Sequence, residues 1–139
     1  MARIIIADDD PLVAEVALRA LEDAGHAVGW LDNGTDALAA IRRRPPDAVV
    51  LDCMMPGMTG TLVLRAMRQS PQLAHIPVIM LTARNGFHDE RIAFYEGVTD
   101  YLTKPFNPHE LVARVEVVLL EQDDSAQRPD TQSWSRFAI

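Results

Sequence analysis

Short apolar runs alternate with amphipathic helical stretches five times along this chain. Few folds accommodate that rhythm. Strands joined by helical crossovers run parallel, and right-handed connections place helices on both faces of the sheet. Residues 3–7 read as a buried strand. Asp10-Pro11 supplies an N-cap and a first-turn proline. The helix they open carries Leu12, Val13, Val16, Ala17, Ala20, Leu21 and Ala24 at helical spacing, and Gly25 ends it. Residues 26–31 form a weaker strand with Val28, Trp30 and Leu31. A second helix opens at Asn33 or Thr35, carries Ala37, Leu38 and Ile41, and stops before Pro45. Strand 48–52, a loop over 54–60 and a helix with Leu62, Leu64, Ala66 and Met67 follow. Pro77 leads strand 78–82. A polar fourth helix is predicted over 88–96, then a strand over 100–103. Asn107-Pro108 caps a last helix with Leu111, Val112, Val115, Val118 and Leu119.

Five strands and five helices predict an α/β fold with a five-stranded parallel sheet in the flavodoxin-like order 2-1-3-4-5. The strand ends are chemically distinctive. Ile4-Ile5-Ile6-Ala7 runs into Asp8-Asp9-Asp10, Ala48-Val49-Val50-Leu51 into Asp52, Val78-Ile79-Met80-Leu81 into Thr82, and Tyr101-Leu102-Thr103 into Lys104. In a parallel sheet these ends share one edge, where ligands bind in open α/β folds. Asp8, Asp9 and Asp52 would repel one another there unless a pKa rises or a cation binds. Oxygen ligands at an open, hydrated site suit Mg²⁺. A carboxylate beside such a metal can attack a phosphoryl donor, and Asp52, alone on the middle strand, is the candidate. Lys104 and Thr82 supply an ammonium and a hydroxyl for phosphoryl oxygens. Asp10 reads as a helix cap.

The 139 residues are 48% hydrophobic, enough for one domain with a full core. A net charge of -7 argues against direct nucleic-acid binding. The basic run Arg42-Arg43-Arg44 falls where a helix C-terminus favours cations. Cys53, the single cysteine, allows no intrachain disulfide and reads as a packed thiol. No apolar stretch approaches the ~20 residues of a membrane span, and the N-terminus lacks the pattern of a signal peptide. A cytoplasmic location is the expectation. The pattern supports a domain over 1–121 and a tail or linker over 122–139, a polar stretch interrupted by Trp134, Phe137 and Ile139.

Five segments together resemble the receiver domain of two-component response regulators. They are Ile4-Ile5-Ile6-Ala7-Asp8-Asp9-Asp10, Val49-Val50-Leu51-Asp52, Met55-Pro56-Gly57-Met58-Thr59-Gly60, Ile76-Pro77-Val78-Ile79-Met80-Leu81-Thr82-Ala83 and Asp100-Tyr101-Leu102-Thr103-Lys104-Pro105-Phe106. The resemblance implies a phosphoacceptor signalling domain rather than an enzyme. Asp52 would take a phosphoryl group from the phosphohistidine of a sensor histidine kinase or phosphotransfer protein. Asp9 and Asp52 would bind Mg²⁺ directly, Asp8 largely through water, and the Met54 backbone carbonyl would complete the protein ligands. Lys104 would contact the phosphoryl group, with a cis Lys104-Pro105 bond aiming it at the site. Thr82 and Tyr101 would form a switch, with small Ala83 letting the loop move. The altered surface would comprise the fourth helix, fifth strand and fifth helix, read by an output domain or protein. Met54 and Arg84 occupy the positions that tune phosphoryl lifetime, and bulky Met54 predicts slow loss.

The stretch from Lys104 to Arg114 further resembles receivers of winged-helix transcription regulators. In that group, charges at the positions of Asp100, Glu110 and Arg114 help form a symmetric homodimer. Here Val98-Thr99 replaces the small-acidic pair usual there. Other readings fit less well. A phosphohydrolase of the haloacid-dehalogenase type needs a second Asp where Met54 stands. A flavin carrier needs a phosphate-cradling loop where Asp8-Asp9-Asp10 would repel phosphate. A receiver-like module that never takes phosphate does not need the full set of site residues.

Overall fold

Every strand of the sheet is short and parallel to its neighbours, so all carboxyl ends emerge on one side. The computed structural model describes residues 1–83 and 97–127. Its elements are β1 (Arg3–Ala7), α1 (Pro11–Asp23), β2 (Ala27–Leu31), α2 (Gly34–Arg43), β3 (Ala48–Asp52), α3 (Gly60–Gln69), β4 (Val78–Thr82), β5 (Asp100–Thr103) and α4 (Pro108–Gln127). The strand order is β2-β1-β3-β4-β5, as the alternation predicts. The fourth helix expected over 88–96 lies outside the described residues.

β3 and β4 are buried along their whole length, which explains their unbroken apolar sequence. Two apolar layers flank the sheet. Ile5, Val49, Leu51, Val78 and Met80 pack with Leu38, Ile41, Val63, Leu64 and Met67 on the α2 and α3 side. Ile4, Ile6, Val50, Ile79 and Leu81 pack with Ala17, Leu21, Leu111, Val115 and Val118 on the α1 and α4 side.

Local chemistry fixes the helix starts. Asp10 accepts the Leu12 and Val13 amides at 2.9 and 3.5 Å, with Pro11 in the first turn. Asn33, one of the two starts considered, caps α2 by accepting the Asp36 amide at 2.8 Å. Thr59 Oγ1 caps α3. Gly25, at φ +96°, follows α1 in the left-handed region.

Two helix faces differ from the apolar stripes in the sequence. In α1 the buried residues are Ala14, Ala17 and Leu21, whereas Leu12 and Val16 are exposed. In α3 Val63 is buried and Leu62 exposed. Each stripe is wider than the strip of sheet available to cover it. The last helix continues to Gln127, beyond the end of its apolar pattern near residue 121. Among the described residues, no helix is long and apolar enough to cross a membrane.

Candidate functional site

The ends of β1 and β3, with the loop after β5, bring Asp8, Asp9, Asp52 and Lys104 together. One carboxylate oxygen from each Asp lies within 4.8 Å of the others. Asp8 and Asp52 are buried, and Asp9 stands at the exposed rim. Asp8 Oδ1 accepts the Asp10 amide at 2.9 Å. Asp8 Oδ2 meets Lys104 Nζ at 2.8 Å. Lys104 Nζ also lies 3.3 Å from Asp52 Oδ1, which accepts the Met54 amide at 3.4 Å.

The electrostatics follow from this crowding. Burial, then the Asp8 charge, push the Asp52 carboxyl up from 3.8 to about 6, against the pull of Lys104 and the Met54 amide. Burial alone would lower the Lys104 ammonium, but hydrogen bonding and charge from Asp8 and Asp52 outweigh it and raise its pKa. Three clustered carboxylate oxygens, with the Asp52 carboxyl pushed up by burial and by Asp8, fit a divalent cation. Asp8, Asp9 and Asp52 therefore form an acidic triad suited to a hard cation.

Thr82 is fully buried at the end of β4, and its hydroxyl donates to the Leu102 carbonyl at 3.5 Å. Ala83, next in the chain, is exposed. Tyr101 is half-buried and packs against the apolar layer of α2 and α3. The Lys104-Pro105 bond is cis. Met54 is 65% exposed and stands at the site's rim. Arg84 lies outside the described residues. Cys53 is buried, as a packed thiol requires.

Asp100, Glu110 and Arg114 also converge, away from the acidic site. Arg114 Nη1 donates to both Asp100 oxygens at 2.9 and 3.1 Å, and Nη2 to Glu110 Oε1 at 3.0 Å. The hydrogen bond to Asp100 chiefly raises the Arg114 pKa. In this single chain Arg114 pairs with both carboxylates.

Two site features have no role in the sequence reading. Gly60 opens α3 so close to β3 that any Cβ would collide with the Asp52 carbonyl. Its position in a Gly-rich loop after Asp52 was the available signal. Trp30, read as an ordinary strand residue, donates its indole N–H to the Asp8 carbonyl at 2.8 Å. A bond to a backbone acceptor leaves no mark in the sequence.

Known proteins share the sequence and fold of this chain. The family model described as the response regulator receiver domain matches residues 4–116. The chain is 41% identical over 122 residues to the DNA-binding response regulator MtrA of Mycobacterium tuberculosis, covering 88% of this chain and 52% of that protein. It is 43% identical over 117 residues to the phosphate regulon transcriptional regulatory protein PhoB of Pseudomonas aeruginosa, covering 84% and 51%. The chain thus spans about half the length of the curated relatives it matches. Chemotaxis response regulator CheY4 of Vibrio cholerae superposes with a TM-score of 0.80 at 31% identity, over 85% of this chain and 98% of that one. The receiver domain of Francisella response regulator 1452 gives 0.80 at 31%, over 87% and 98%. Fold, acidic triad and sequence agree: the chain belongs to the response regulator receiver domains, a family of two-component signalling domains rather than enzymes.

Proposed function

We propose that Asp52 accepts a phosphoryl group from a phosphohistidine on a sensor histidine kinase or phosphotransfer protein. The observation that carries this reading is the convergence of three carboxylates on one ammonium at the open edge of the sheet. An Asp52 oxygen forms the new P–O bond while the P–N bond of the donor breaks. The leaving imidazole keeps the electron pair and takes up a proton. Asp52 has to be ionised to attack, and Lys104 beside it favours that form.

Mg²⁺ bound by Asp8, Asp9, Asp52 and the Met54 backbone carbonyl would offset charge on the phosphoryl oxygens. Asp9 and Asp52 would hold it directly and Asp8 largely through water. Lys104, close to both buried carboxylates, turns to a phosphoryl oxygen. The Thr82 hydroxyl moves from Leu102 toward another, past small Ala83. That movement opens space for Tyr101 to turn inward and shifts a balance between two conformations. The surface it changes comprises residues 88–96, β5 and α4. Exposed Met54 at the rim screens the acyl phosphate from water and slows its loss.

Leu12 and Val16 lie exposed beside Pro105 and Phe106, lining a shallow pocket next to Lys104. An apolar helix face carrying the phosphohistidine fits there. The domain works in the cytoplasm, where such kinases present their phosphohistidine. The receiver unit spans residues 1–121, and α4 carries the chain past it into a tail or linker over 122–139. Output rests on a further domain or separate protein, since a net charge of -7 argues against direct nucleic-acid binding by this chain. Asp100, Glu110 and Arg114 exchange their intrachain pairs for contacts in a homodimer through the altered face.

Phosphorylation from a small acyl or amido phosphate with Mg²⁺, followed by intact-protein mass, tests the reading. Wild type gains one phosphoryl group and Asp52→Asn none. Equal labelling of both proteins rejects Asp52 as acceptor.

A further inference from the structure

Edge strand β2 contributes no carboxylate to the triad, yet its last two residues hold the chain that does. The Asp8 amide donates to the Leu31 carbonyl at 3.1 Å. The Asp8 carbonyl accepts the Trp30 indole N–H at 2.8 Å. Asp8 is thereby pinned on both sides of its Cα. Its carbonyl belongs to the peptide linking Asp8 to Asp9, so fixing that plane also fixes where the Asp9 backbone begins. Asp9 itself stands exposed at the rim. The angle at which its carboxylate meets Asp8 and Asp52 depends on this peptide.

Burial does not account for Trp30. The residue is 40% exposed on a strand whose residues are all partly or fully exposed. A residue needed only for apolar cover has no use for an indole N–H aimed at a carbonyl. We infer that Trp30 is a positioning residue for the cation site, setting the Asp8–Asp9 peptide so that the three carboxylates converge. This rests on the reading of Asp8, Asp9 and Asp52 as a Mg²⁺ site. It adds to that site a residue that touches neither metal nor phosphate.

Trp30→Phe keeps the ring and removes the donor. Mg²⁺ affinity is measured by calorimetry on the full chain, and thermal stability separately in chelator. Loss of one hydrogen bond weakens Mg²⁺ binding about three- to tenfold. A purely structural role lowers stability in chelator and leaves Mg²⁺ affinity within twofold of wild type, which overturns the inference. Asp9→Asn is the control. If it fails to weaken Mg²⁺ binding, the cation site is wrong. If it weakens binding and Trp30→Phe does not, only the role of Trp30 is wrong. A second measurement needs no change at residue 30. In Trp134→Phe, Trp30 is the sole tryptophan, and its fluorescence changes with Mg²⁺ at the calorimetric midpoint. Emission that ignores saturating Mg²⁺ also overturns the inference.

Discussion

Lys104 Nζ sits 2.8 Å from Asp8 Oδ2, on a carboxylate with no exposed surface. Removing the ammonium leaves that charge buried and uncompensated. Lys104→Met is expected to cost about 2–3 kcal/mol in metal-free buffer, somewhat below a fully buried pair because Lys104 is partly exposed. Asp8→Asn in the same chain should return at least half of the loss. Urea unfolding of both single variants and the double variant measures the coupling. Strictly additive effects would show that the two side chains do not support each other.

The raised Asp52 pKa makes a signed prediction. The folded chain binds that proton more tightly than the unfolded chain, so this carboxyl's contribution to stability falls as pH rises between about 4 and 6. Above that window the folded state carries the cost of the buried charge, and its repulsion by Asp8, in full. The shift corresponds to at most ~3 kcal/mol, and water at the open edge reduces it to about 1 kcal/mol. Metal-free Asp52→Asn should therefore unfold at a higher temperature than wild type at pH 7, with the gap closing toward pH 4. Mg²⁺ should stabilise wild type far more than the variant. A variant less stable than wild type at pH 7 without metal would contradict this account.

The strands and the acidic site were legible for one physical reason. β3 and β4 are buried on both faces, so their apolar runs end where the sheet ends, and parallel pairing brings those ends to one edge. Asp10 and Asn33 were legible as caps because short polar side chains satisfy open amides at helix starts. The facing of α1 was not legible, because seven apolar positions offered a wider stripe than the sheet covers. Leu12 and Val16 fell outside it. Trp30 was invisible for a different reason. Its partner is a backbone carbonyl of Asp8, and any residue in that place would present the same acceptor. The polar turns of α4 up to Gln127 lack an apolar periodicity to follow.

Two glycines separate close approach from open space. A Cβ at Gly60 would collide with the Asp52 carbonyl, whereas one at Gly29 would meet nothing within 4 Å. Gly60→Ala is expected to destabilise the fold by about 2–4 kcal/mol, since backbone rather than a side chain has to move. It should also slow phosphorylation by displacing the Asp52 end of β3. Gly29→Ala should be neutral or stabilise by up to about 0.5 kcal/mol through reduced chain entropy. Chemical unfolding of the two variants checks the contrast, and comparable losses would refute it.

Arg68 joins three segments through its guanidinium. Nε donates to the Gly97 carbonyl at 2.8 Å, and Nη1 donates to the Ala74 and Ile76 carbonyls at 3.1 and 2.8 Å. Burial lowers its pKa, though an arginine remains charged there. α3 is thereby tied both to the entry of β4 and to the turn that leads into β5. Arg68→Met retains an unbranched stem but strips all three carbonyls of their donor, with an expected cost of about 2–3 kcal/mol. Arg68→Lys should recover less than half, because one compact ammonium cannot span the fork that reaches all three. The loss should be local as well as global. Amide exchange at Thr99 and Tyr101 should accelerate more than at Val49 and Val50, which lie in the buried middle strand. Uniform acceleration across the sheet would mean that Arg68 supports the whole fold without specifically anchoring the entry to β5.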